Sequence, residues 1–121
     1  MDLEPIRQWM PQFQCKDFDL FDTITRLVWE VTEDSLGETQ HILTLTMTSP
    51  RSYQIQLEFL GVTSFRFDGS ESISGFYIRD MAPLGYESCV RYEVGDSDYE
   101  EDVLQFYCRD VRILGMERLF L

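Results

Sequence analysis

The chain is predicted to be mainly β: about seven antiparallel strands in one curved, meander-like sheet or a small sandwich, with a single short N-terminal helix. Three observations predict this. An apolar period of two runs through most of the sequence after residue 22. β-branched and aromatic residues dominate those stretches. Turn residues interrupt them at short intervals, with no alternating helical segments.

Taken in order, Leu3, Ile6, Trp9 and Phe13 recur at helical spacing, Asp2 is placed to cap and Pro5 suits a first turn, so residues 3–10 read as a helix that Pro11 ends. Residues 23–32 form a strand with Leu27, Trp29 and Val31 on one face, and the polar residues 33–39, containing Gly37, form a loop. Residues 42–48 place Leu43, Leu45 and Met47 inward and Thr44, Thr46 and Thr48 outward; Ser49, Pro50 and Arg51 then turn the chain into Tyr53, Ile55, Leu57 and Phe59.

Gly61 breaks that run, Phe65 and Phe67 begin a short strand, and Asp68-Gly69 suits a tight turn before a strand over 73–81. Pro83 and Gly85 close it. Val90, Tyr92 and Val94 alternate next, and the last long strand starts near Val103. In it Leu104, Phe106 and Cys108 share one face while Val111 and Ile113 fall on the other; a β-bulge near Arg109 and Asp110 would return all five to one side. Pairing Val90, Tyr92 and Val94 against Leu104, Phe106 and Cys108 puts Cys89 on the surface opposite Cys108, which predicts no disulfide between them.

Length and composition point to one domain, residues 1–121, with 44% hydrophobic residues including nine Phe, six Tyr and two Trp. A net charge of −12 repels phosphate and anionic lipid, so neither nucleic acid nor membrane is an expected partner. The same field speeds encounter with a basic protein. The N-terminus Met-Asp-Leu-Glu-Pro carries acids where an export signal carries bases, and three cysteines, Cys15, Cys89 and Cys108, stand at no metal-ligand spacing; both features lead to the expectation of a cytoplasmic protein with reduced thiols.

Catalysis needs a constellation that these residues do not spell out. The one histidine, His41, shares strand parity with Leu43, Leu45 and Met47 and reads as structural, and no nucleophile turn accompanies it. Asp17 with Asp19 and Asp96 with Asp98 are close carboxylate pairs, yet with 22 acids such pairs arise by chance. The stretch 96–102 lacks the central glycine and flanking helices of a calcium loop, and neither zinc ligands nor a nucleotide-binding glycine loop is present, so no cofactor is expected.

The stretch 93–102 is the sharpest local feature, with six acids and no base. Tyr92, Glu93, Asp96, Asp98, Tyr99, Glu100, Glu101 and Asp102 are therefore the candidate partner-binding residues, the carboxylates imitating phosphate and the tyrosines supplying contact area, against the plainer reading of a solvated hairpin tip. Glu30, Glu33, Asp34 and Glu38 would add to the field if the two loops lay at one end. An alternative function is a small-ligand-binding β module with an apolar pocket lined by Phe65, Phe67, Phe76 and Tyr107. An exposed edge strand also offers a route to a homo-oligomer.

Trp9, the Phe18–Asp22 region, Phe-Leu-Gly-Val at 59–62, Ile-Ser-Gly-Phe at 73–76 and Leu-Gln-Phe-Tyr-Cys at 104–108 occur in an order that resembles the bacterial immunity proteins of the immunity protein fifty family and related small β-rich proteins. The family's Phe-His-Asp stretch is met here by Phe18-Asp19 and Phe21-Asp22 without the histidine, so no site residue carries over from it. The resemblance implies a cytoplasmic, non-catalytic protein that neutralises a cognate toxin with a basic surface, for example a nuclease.

Overall fold

The computed structural model describes residues 1–50, 53–85, 90–97 and 103–119. Its centre is the expected hairpin of β2 (Thr39–Thr48) and β3 (Tyr53–Leu60), in which Leu43 faces Phe59, Leu45 faces Leu57 and Met47 faces Ile55. All six of these side chains are fully buried, as alternation on a one-sided sheet requires. Thr46, on the opposite face, is buried as well. β1 (Thr23–Glu33) pairs with β2 after a bulge between Ile24 and Arg26. Between the two strands Asp34 closes the loop, its Oδ1 accepting from the backbone N–H groups of Leu36 and Glu38, each at 2.9 Å.

Among the described residues there are eight strands in two antiparallel sheets, ordered β1-β2-β3-β8 and β4-β7-β6-β5. The remaining strands are β4 (Thr63–Phe67), β5 (Phe76–Asp80), β6 (Tyr92–Asp96), β7 (Leu104–Cys108) and β8 (Asp110–Arg118). The eighth strand arises where the sequence reading placed one long strand with a bulge. Instead of bulging within one strand, the chain leaves one sheet at Cys108 and enters the other at Asp110, so Leu104, Phe106 and Cys108 point into the core from one side and Val111 and Ile113 from the other. The change of parity marks a sheet crossing.

β3 and β4 make the matching crossing. Leu60 pairs with Asp110 and Thr63 with Tyr107, so β3-β4 and β7-β8 form one bent ribbon shared by both sheets. At the bend the Arg109 N–H donates to the Leu60 carbonyl at 2.9 Å. Gly61 adopts φ +67°, and a Cβ there would sit 3.1 Å from the Arg109 Cβ, so the corner needs glycine for both its backbone and its space. Phe59 and Phe106 meet edge to face across the sheets at 4.9 Å.

The N-terminal helix α1 (Glu4–Arg7) is shorter than the expected 3–10, though Asp2 does accept from the Glu4 N–H at 2.9 Å. Ile6 and Phe13 enter the core, whereas Trp9 stays 45% exposed and packs edge-on against Tyr53. A 3₁₀ turn over Cys15–Leu20, closed by Asp17 accepting from the Gln14 N–H, inserts Phe18 between Phe13 and Phe76. α1 packs on β8 and the 3₁₀ turn on β5, covering one edge of each sheet.

Asp68-Gly69 does not close a hairpin. β4 pairs with β7 instead, and the loop that follows crosses to the start of β1, where Thr23 bridges Ser72, the Ile24 N–H donates to the Glu71 carbonyl at 2.8 Å, and the Ile73 N–H donates to that of Asp22 at 2.8 Å. The expected 73–81 strand is accordingly shortened to β5. Cys15 and Cys108 carry free thiols; Cys89 lies outside the described residues. No helix among the described residues is long and apolar enough to cross a membrane.

Candidate functional site

The loop crossing from β4 to β1 assembles an acidic end of the molecule. Asp22, Thr23, Ser70, Ser72, Ile73, Ser74, Asp96 and Val103 line a polar cleft of about 290 Å³ there. No base is among them. Ion pairs join Arg79 to Glu93 at 2.7 Å, Arg91 to Asp80 at 3.5 Å and Arg112 to Glu58 at 3.8 Å, and none of these residues lines the cleft.

Asp98, Tyr99, Glu100, Glu101 and Asp102 lie outside the described residues. The positions on either side of them are fixed at this end: the Ser97 N–H donates to the Gly75 carbonyl at 3.0 Å, and Val103 lines the cleft. The other three candidate partner-binding residues are engaged internally. Asp96 is buried, its two carboxylate oxygens accepting from the backbone N–H groups of Leu104 at 3.1 Å and Val103 at 3.3 Å. Tyr92 is buried too, its hydroxyl accepting from the N-terminal ammonium at 3.2 Å, and burial raises its phenol pKa.

Glu93 lies on the outer face of the β4-β7-β6-β5 sheet. Its Oε1 accepts from the Tyr77 hydroxyl at 2.8 Å and from Arg79, while Tyr77 also contacts Gln105 Oε1 at 3.3 Å. Burial, then the bond to Glu93 and its negative charge, push the Tyr77 phenol up to about 12. Gly95 leaves the floor of this network open for the Gln105 side chain to lie across. The result is a satisfied polar face rather than a free carboxylate.

An apolar cleft of about 310 Å³ adjoins the polar one, lined by Met10, Asp19, Leu20, Asp22, Ser49, Pro50 and Tyr53. Asp22 belongs to both. Leu20 is 38% exposed, and the half-exposed Trp9 packs on Tyr53 at the same cleft. The polar cleft that Asp22 and Asp96 share leaves no local signal in the sequence: the two are 74 positions apart, and their segments meet through the Thr23–Ser72 bridge and the backbone bonds from Ile73 to Asp22 and from Ser97 to Gly75. None of Phe65, Phe67, Phe76 or Tyr107, the residues of the alternative ligand pocket, lines either of these two clefts; Phe76 packs on Phe18, and Phe65 packs between Trp29 and Phe106. Tyr107 alternates with the buried Phe106 and Cys108 and faces the outer side with Glu93.

The second acidic stretch stands elsewhere. β1 starts at the polar cleft with Thr23 and ends at Glu33, ten residues along an extended chain, which separates Glu33 from that cleft by roughly 30 Å. His41 stacks on Trp29 at 5.4 Å, in a row that continues through Phe65 to Phe106. Among the described residues no group of three or more His, Cys, Asp or Glu is placed to hold a metal ion. Compared with family models, curated proteins and solved structures, the chain matches none of them.

Proposed function

We propose that this protein is a non-catalytic acidic binding protein that neutralises a cognate bacterial toxin in the cytoplasm, docking its acidic end on a basic toxin surface such as that of a nuclease. The observation that carries the reading is the position of Asp22, whose side of the molecule joins a base-free polar cleft to an apolar cleft. Interfaces combine a desolvated apolar anchor with charged surroundings that steer encounter. Here Leu20, Met10 and Tyr53 supply the anchor, and Asp22 together with the 98–102 carboxylates supplies the field. Tyr92 and Asp96 take no direct part in this version of the interface; they hold the β6–β7 hairpin that carries it.

The net charge of −12 supports the choice of a basic partner, and the stacking of His41 on Trp29 supports a structural rather than a catalytic histidine. The test is to co-express the chain with the toxin domain encoded beside it and then measure association. Protection of the cells is expected. Replacing Asp98, Glu100, Glu101 and Asp102 by their amides should slow association by about 10-fold or more at low salt and flatten its salt dependence. Unprotected cells would dismiss the toxin role, and an unchanged rate in the amide variant would remove the acidic end from it.

A further inference from the structure

An antiparallel sheet exposes unpaired N–H and C=O groups along its edges, and natural proteins blunt those edges. Three of the four edges here are blunted. α1 packs on β8, the 3₁₀ turn packs on β5, and β4 is only five residues long, interrupted by a register shift and by Ser64 at φ 53°. β1 is eleven residues long without proline or lysine, and its bulge and its bonds to Ser72 and Glu71 occupy only the first positions. From Arg26 to Glu33 no backbone hydrogen bond reaches the outer edge from any described residue.

The side chains along this edge are unusual for one meant to stay in water. Trp29 is 40% exposed and Val31 59% exposed, both on the face that also carries Leu27. On the opposite face Arg26, Val28 and Glu30 follow one another at alternate positions. Neither Arg26 nor Glu30 is in an ion pair among the described residues.

We infer that β1 pairs antiparallel with β1 of a second copy of this chain, about a two-fold axis through Val28, joining two four-stranded sheets into one of eight. This register sets Arg26 opposite Glu30 of the second copy, and by symmetry Glu30 opposite its Arg26. It also sets Leu27 opposite Trp29, the apolar cross-strand pair that covers the exposed indole. A shift of the axis to Leu27 or Trp29 leaves both charges opposite uncharged residues, and a shift to Glu30 puts two carboxylates face to face, so charge selects one register. The inference is independent of the toxin reading, because it rests on the stretch of β1 from Arg26 to Val31, none of which lines either cleft.

The experiment is sedimentation velocity on the full chain at physiological salt, from about 1 μM to about 1 mM, with thermal melts of every variant as a control. A concentration-dependent species of twice 14.3 kDa is expected. Arg26→Glu or Glu30→Arg, each placing two like-charge pairs across the axis, should weaken the dimer at least 10-fold, and the double variant R26E/E30R should restore it. In a Trp9→Phe background the emission of Trp29 should move to the blue as the dimer forms. A wild-type monomer at the highest concentration overturns the proposal, and so does a dimer indifferent to the single exchanges or one the double variant fails to restore.

Discussion

The carboxylate of Asp96 takes the place of a strand at the beginning of β7, its Oδ1 accepting from the Leu104 N–H at 3.1 Å and its Oδ2 from the Val103 N–H at 3.3 Å. These are buried donors that the ladder with β6 does not reach, since the paired residues end at Gly95 and Gln105. A buried N–H without an acceptor is costly, and a charged acceptor serving two of them is stronger than a neutral one.

Asp96→Ala is therefore expected to destabilise the fold by about 1–3 kcal/mol, with Asp96→Asn, which keeps one acceptor oxygen, losing less. Urea denaturation of both variants checks the order. If the alanine variant unfolds at the same denaturant concentration as the parent, the side chain does not hold the hairpin.

Gly95 tests the packing around that hairpin from the other face. A Cβ at this position would meet Gln105 Oε1 at 2.6 Å and the Leu104 carbonyl oxygen at 2.7 Å. The first obstacle is a movable side chain, and the second is backbone. Gly95→Ala should thus cost about 1–3 kcal/mol, and adding Gln105→Ala should recover only part of the loss. Full recovery in the double variant would mean that the backbone contact is unimportant.

The strands that could be read from sequence are those whose apolar alternation meets a partner close in the chain: Leu43, Leu45 and Met47 against Ile55, Leu57 and Phe59. The same alternation puts Tyr92 and Val94 on one side with Phe106 and Cys108, while their register, Tyr92 opposite Cys108 and Val94 opposite Phe106, comes from the structure. What alternation cannot report is which sheet an inward residue points from, so the parity change at Arg109 had two solutions, a bulge and a corner. The candidate site was legible in part. Acid density marked the 93–102 stretch, but burial of Tyr92 and Asp96 follows from their inward parity, and the adjoining Asp22 arrives through long-range pairing that leaves no local signal.

The two described thiols should behave differently. Cys108 is fully buried, and burial, with Asp110 adding its charge, raises its pKa to about 12. Cys15 is exposed on the 3₁₀ turn, donates to the Ile78 carbonyl at 3.2 Å, and has its pKa raised by partial burial first and then by Asp80. Only the thiolate is nucleophilic. Brief iodoacetamide treatment of the native protein near neutral pH, followed by peptide mapping, should label Cys15 slowly and leave Cys108 untouched until denaturant is added; equal labelling of the two would contradict the buried position of Cys108.

Tyr77 makes the alkaline limb of stability measurable. Its phenol is raised from 10.0 to about 12, first by burial and then by the Glu93 carboxylate that accepts its proton at 2.8 Å. Between those values the folded chain keeps a proton that the unfolded chain has released, so stability is fully present below pH 10.0 and declines as pH rises toward about 12. Glu93→Gln removes the charge but not the burial, and should bring the phenol only part of the way back to its ordinary value. Ultraviolet difference titration of the parent against Tyr77→Phe isolates this one phenol among six tyrosines. A Tyr77 that titrates normally in the parent, or one whose titration does not move in Glu93→Gln, would break the link between the outer-face network and the alkaline loss of stability.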